Sequence, residues 1–172
     1  MSCLRTAARV SAIASGRLGL GLARGAVVAW LLVSAPPAWA DFVDGLAAYD
    51  GGDYWTAVAE WRALAEAGDA EAQVALAGLY MAGEGVAADS AAAFRWYRRA
   101  AESGHPVAQL NLADLYREGR GVARDPVAAY AWFTLAAEQG RAWAGRQRDA
   151  LAGELTASQL REANSLTEAW RR

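Results

Sequence analysis

From position 41 onward, apolar residues recur every three or four positions, the spacing that lines them along one side of an α-helix, and β-branched residues are few. Ala72, Leu76, Leu79 and Tyr80 form one stripe, and Ala93, Trp96, Tyr97, Ala100 and Ala101 form the next. Both return at an offset of 36 residues, as Ala108, Leu112, Leu115 and Tyr116 and as Ala129, Trp132, Phe133, Ala136 and Ala137. The pattern predicts two helices in each copy, the first over residues 70–82 and 106–118, with each stripe covered by its partner helix. Gly83-x-Gly85-Val86 and Gly119-x-Gly121-Val122 close those first helices, because glycine just past a helix end adopts the left-handed conformation that other residues resist. Asp89 and Asp125 then stand where a carboxylate accepts from the free amides of the next first turn. Pro126 takes a first helical position, where a missing N–H costs nothing.

A period of 36 residues lies in the roughly 20–50 range of solenoids, whose units bury their apolar faces against their neighbours. The expected fold is therefore all-α, an α/α superhelical solenoid of about four antiparallel helix hairpins. The two strong copies span residues 69–104 and 105–140. Ahead of them, residues 41–68 predict a hairpin with a tight Asp50-Gly51-Gly52 connection and Asp53 as the cap of its second helix. Behind them, residues 141–172 keep Ala144 and Leu151 on repeat positions but lose the Gly-x-Gly-Val loop. Thr156-x-x-Gln159 reads as a capping box that opens a last helix to about Trp170. A degenerate capping hairpin with a polar exterior, here Arg161, Glu162, Glu168, Arg171 and Arg172, is what the end of a solenoid requires.

Charge separates the leader from the rest. Residues 1–40 hold Arg5, Arg9, Arg17 and Arg24 and no acid, whereas the remainder carries 13 arginines against 19 acids, a net charge of −6. That balance argues against a nucleic-acid-binding domain, which would need a basic stripe for phosphates. The leader runs from its basic part through an apolar stretch, 25–33, to Ala38-Trp39-Ala40, the layout of a secretory signal cleaved before Asp41; an organellar transit peptide is the competing reading. The apolar run is too short and too proline-broken for a spanning helix, so no stable membrane span is expected after cleavage. With Cys3 as the sole cysteine, the folded part has no disulfide framework or thiolate metal site.

The repeated A-Q-x-x-L-A-x-L-Y-x-x-G-x-G-V-A-x-D, followed by A-x-x-W-[YF]-x-x-A-A-E-x-G, resembles the Sel1-like repeat, a relative of the tetratricopeptide repeat, over about 70 residues. Residues 52–66 look like a tetratricopeptide-type entry. The resemblance implies an α/α superhelix used as an adaptor, in bacteria often exported and engaged in envelope assembly, signalling or host contact. It implies no active-site residues.

Candidate chemistry is correspondingly sparse. His105, the one histidine, precedes Pro106 between two helices and has no nucleophile or carboxylate partner recognisable in the sequence; a linker or capping role is expected. Asp89 and Asp125 are a full repeat apart and read as caps, not as a metal pair. No catalytic, cofactor-binding or metal-binding set is expected. The functional candidates are the first-helix positions at which the two copies differ: Ala75, Gly78 and Met81 in one, Asn111, Asp114 and Arg117 in the other, extended by the 36-residue offset to Phe42 and Gln147. Successive first helices line the concave groove of a helix-hairpin solenoid, so this row would be apolar and shallow at one end and polar at the other, with Asn111 able to donate to and accept from a bound main chain. Trp55, Trp143 and Trp170, outside the repeated aromatic positions, are read as end seals or interface anchors.

The expected function is that of an exported, monomeric, non-catalytic adaptor for a protein or extended peptide, in the periplasm or outside the cell. A subunit or enzyme of cell-wall metabolism is the rival reading. Because the paired alanines set how closely the helices approach, Ala101→Leu or Ala137→Leu is expected to cost about 1–3 kcal/mol by overpacking. A thermal melt unchanged by both would contradict the assigned register.

Overall fold

A computed structural model describes residues 42–171, so the expected signal segment, residues 1–40, lies outside the described residues. Among the described residues eight helices follow one another: α1 Phe42–Asp50, α2 Tyr54–Glu66, α3 Ala70–Ala82, α4 Ser90–Glu102, α5 Pro106–Glu118, α6 Pro126–Glu138, α7 Ala142–Ala152 and α8 Ala157–Trp170. Each of α1 to α6 packs on the next, which gives the stacked hairpins of a solenoid.

The helix starts are set locally. The side chains of Asp53, Asp69, Asp89 and Asp125 accept from first-turn amides, and His105 does the same through Nδ1, 3.3 Å from the Ala108 nitrogen. Thr156 and Gln159 form the expected reciprocal capping box. Gly83 and Gly119 take left-handed φ values of 75° and 72° and donate back to the carbonyls of Leu79 and Leu115.

The repeated stripes make the core. Leu76, Leu79, Leu112 and Phe133 are enclosed, each worth about 1.5–3 kcal/mol relative to an exposed position. Small residues lie among them at Ala77, Ala93, Ala100, Ala108, Ala113, Ala129, Ala136 and Ala144, all without accessible surface. Ala101 is buried as well, whereas Ala137 is half-buried, so the overpacking penalty falls chiefly on Ala101.

Two contacts tie the second helix of one unit to the first helix of the next, one at each end of the antiparallel pair. At one end the buried Gln73 side chain donates to the Ala65 carbonyl (3.1 Å), and Gln109 donates likewise to Ala101 (3.3 Å). At the other end the loop glycines lie against the opening turn of the preceding second helix. A methyl group on Gly85 would fall on the Tyr54 carbonyl and 2.9 Å from the Trp55 nitrogen; on Gly121 it would fall on the Ser90 carbonyl and 2.8 Å from the Ala91 nitrogen.

The last unit lacks both ties. Gly145 stands at the position of Gln109, and Leu155 packs on Val127 in a small apolar cluster with Ala163. The hairpin expected over residues 141–172 is accordingly opened out, since α7 and α8 both lie chiefly on α6. Trp170 of α8 stacks on Trp132 with ring centres 4.4 Å apart, and Trp143 meets Phe133 edge-on at 5.8 Å, so both help seal this end. Trp55 does not seal anything: it is 73% exposed.

Gly85→Ala and Gly121→Ala combine a left-handed backbone (φ 69° and 73°) with a backbone collision, and each should cost about 2–4 kcal/mol. Gly104→Ala, at φ 90° but with open space around it, should cost only about 1 kcal/mol. Denaturant unfolding checks the contrast, and equal losses at the three sites would contradict the docking role.

Candidate functional site

The eight candidate positions fall on four helices, and the structure brings only some of them into one surface. Phe42 opens α1, but its ring stacks on Trp61 at 5.7 Å and its carbonyl accepts from Trp61 Nε1 at 3.2 Å, so packing accounts for it. Ala75 and Gly78 line a cavity of about 380 Å³, together with Tyr49, Trp61, Val74, Leu79, Ala82, Glu84 and Tyr97. The apolar end of the row is therefore a pocket and not the shallow wall the sequence suggested. Its depth comes from the two small residues, because the matching positions of the next unit hold Asn111 and Asp114.

Met81 does not join this wall. A step of six residues turns a helix by about 600°, which leaves Met81 about 120° off the face, whereas a step of seven returns to it. Ala82 takes the place expected of Met81, which packs against the core instead. Glu84 lines this cavity, as does the buried Tyr97, whose hydroxyl oxygen is the nearest atom to a methyl built on Gly78, at 4.0 Å. Burial pushes the Tyr97 phenol above its ordinary range, with Arg120 opposing.

The polar end is organised by its own ion pairs. Arg117 donates to Asp114 Oδ1 through Nε (3.0 Å) and Nη2 (2.7 Å) and to Glu118 Oε1 (2.7 Å), and Arg120 reaches Glu118 Oε2 at 3.3 Å. Burial raises the Asp114 carboxyl above the usual aspartate range, and the Arg117 hydrogen bond pulls the other way. Two members of the row are thus committed to each other. Asn111 is half-buried beside them and its amide is not engaged by a described side chain or carbonyl, which leaves it available to a ligand. Gln147, half-buried on α7, is the last member of the row.

His105 is held by two contacts. Nδ1 accepts from the Ala108 amide and so caps α5, and Nε2 donates to Glu71 Oε1 of the preceding unit at 3.0 Å. The carboxylate partner that the sequence did not reveal is Glu71, one repeat before Val107. Among the described residues no group of three or more His, Cys, Asp or Glu side chains is placed to hold a metal ion, and no described helix is long and apolar enough to cross a membrane.

The comparisons with known proteins agree with the helical-repeat fold. A family model described as Sel1 repeat matches residues 70–105 and 106–140. A solved structure of a protective antigen present in uropathogenic Escherichia coli strains, displaying an SLR fold, is similar at 33% identity and a TM-score of 0.69, over 73% of this chain and 28% of its own. A Sel1 repeat protein from Oxalobacter formigenes is similar at 32% identity and a TM-score of 0.61, over 66% of this chain and 47% of its own. The chain thus spans less than half the length of either solved structure. No curated protein matches it.

A raised carboxyl pKa means that the folded state holds the Asp114 proton more tightly than the unfolded chain does. The contribution of Asp114 to stability is then most favourable at low pH and declines as pH rises through and above the ordinary aspartate range. Unfolding free energies of Asp114→Asn relative to the parent should therefore shift in favour of the variant between about pH 3 and about pH 6. A flat difference, or one of opposite slope, would contradict the burial-dominated environment.

Proposed function

We propose, from the premise that the chain carries two Sel1 repeats on a helical-repeat scaffold, that it is an exported adaptor which holds a protein or extended-peptide partner on the face of its first helices. Its contribution is binding, with no catalysis of its own. One observation carries this reading: the first-helix face opens into a pocket of about 380 Å³ where the two repeats diverge. That volume lies within the range of ligand pockets, roughly 300–1,000 Å³, and suits an apolar side chain of a bound segment. Asn111, one unit along, supplies an amide that donates to and accepts from the main chain of the same segment. Glu84 in the pocket lining favours a partner with a cation beside its apolar anchor.

Export is supported by the leader, in which a basic part, a short apolar part and Ala38-x-Ala40 follow in order. The likeness to a protective antigen supports a location outside the cytoplasm as well. In that setting the chain acts as a monomer in envelope assembly, signalling or host contact, its affinity modest because the groove is short.

Gly78→Leu fills the pocket from a helix surface with room for a side chain, since only the Tyr97 hydroxyl lies within 4.0 Å of the added Cβ. Affinity capture from the envelope fraction of the source organism should recover a discrete partner with the parent chain, and about tenfold less with Gly78→Leu and with Asn111→Ala. The melting temperatures of both variants should stay close to the parent's. Equal recovery by parent and variants would remove the groove from the account and leave the fold intact.

A further inference from the structure

A second recess lies on a different side of the same helices. Gly78 and Tyr80 are two positions apart on α3, about 200° around the helix; the first lines the groove pocket and the second lines this recess, of about 340 Å³. Arg62 from α2 and Arg95 and Arg99 from α4 converge there with Trp96 and Glu66. Arg62 Nη2 donates to Tyr80 Oη at 2.9 Å, and the Arg99 guanidinium carbon lies 4.7 Å from the centre of the Trp96 ring. None of the three arginines forms an ion pair with a described carboxylate, whereas Arg98, on the same helix, pairs with Glu102 at 3.3 Å.

The repeat shows that packing does not call for the charges of Arg95 and Arg99. One unit on, Arg95 and Arg99 correspond to Ala131 and Leu135, both buried on the helix that α8 covers, and Trp96 corresponds to Trp132, on which Trp170 of α8 stacks. The side that α6 uses to receive a helix is thus open on α4, and there it carries guanidinium groups around a tryptophan. From position 41 onward the chain has 13 arginines against 19 acids, so three arginines facing the single Glu66 carboxylate form a local reversal of sign. An extended anionic surface such as a bilayer would be repelled by the surrounding net charge of −6, while a short segment that reaches into the recess would not.

We propose that this recess binds an acidic peptide segment of a protein partner, with carboxylate side chains held by Arg95, Arg99 and Arg62 and an apolar or aromatic neighbour laid on Trp96. Guanidinium forks match carboxylate geometry and give short, charge-assisted hydrogen bonds, and the indole face adds apolar contact area. The site is separate from the groove pocket, so either can fail alone.

The test is fluorescence anisotropy of the full chain with two labelled peptides, one with a tryptophan among Asp and Glu residues and one with those acids replaced by Asn and Gln. The acidic peptide should bind, more weakly as salt rises from about 0.05 M to about 0.3 M, and the neutral one should not. The Arg95→Ala/Arg99→Ala double variant should lose at least about tenfold in affinity while keeping the parent's melting temperature, because both side chains are exposed. Arg98→Ala removes one positive charge outside the recess and should stay within about twofold of the parent, as should Gly78→Leu in the groove. No binding of the acidic peptide, equal binding of the neutral one, or a loss with Arg98→Ala as large as that of the double variant would overturn the proposal. So would retention of the chain on phosphatidylglycerol vesicles through Arg95 and Arg99 without binding of the acidic peptide.

Discussion

Everything in this chain depends on how the second helix of one unit is fastened to the first helix of the next. The fastening is double. At one end a buried glutamine, Gln73 or Gln109, satisfies a carbonyl in the last turn of the preceding helix; at the other, Gly85 or Gly121 lets a loop lie directly on the first turn. The pair of contacts fixes the spacing and tilt of successive units, which apolar stripes alone would leave free to slide. The same logic explains where the array stops. Gly145 offers no side-chain amide and Ala157 stands where Gly85 and Gly121 stand in the earlier units, so the last helix is received by an apolar patch and lies on α6, and Trp170 closes over Trp132.

A scaffold fastened in this way can vary freely only where neither contact nor core is touched. On the groove side, variation takes the form of size: alanine and glycine at 75 and 78 leave a pocket that asparagine and aspartate at 111 and 114 do not. On the opposite side it takes the form of charge, with arginines at 95 and 99 where the next unit has a buried alanine and leucine. The two surfaces suit different partner chemistries, an apolar anchor with a cation near Glu84 and an acidic segment near Trp96. Two sites on one short array fit an adaptor that holds more than one segment at once.

Much of the fold was legible because its signals are local. Helix bounds, the Asp53, Asp89 and Asp125 caps, the Thr156–Gln159 box and Pro126 each need only a few neighbouring residues to be recognised. The glycine loops were legible as turns but not as docking points, since Gly85 meets residues 30 and 31 positions away. Of the candidate row, Ala75 and Gly78 line one cavity, while Met81 lies off that face because six residues overshoot it and Ala82 takes its place. Ion pairing between Asp114 and Arg117 follows from i,i+3 spacing and could have been anticipated. The arginine recess could not, because Arg62 and Arg95 come together only through the stacking of α2, α3 and α4.

Native-state hydrogen exchange of the full chain tests the double fastening most directly. If successive units are tied at both ends, the slowest amides of α3, α4, α5 and α6 open together, with one common free energy and one common denaturant dependence. If instead the amides of α3 and α4 exchange through an opening that leaves α5 and α6 protected, the units are independent, and the account of a rigid array presenting fixed sites is wrong.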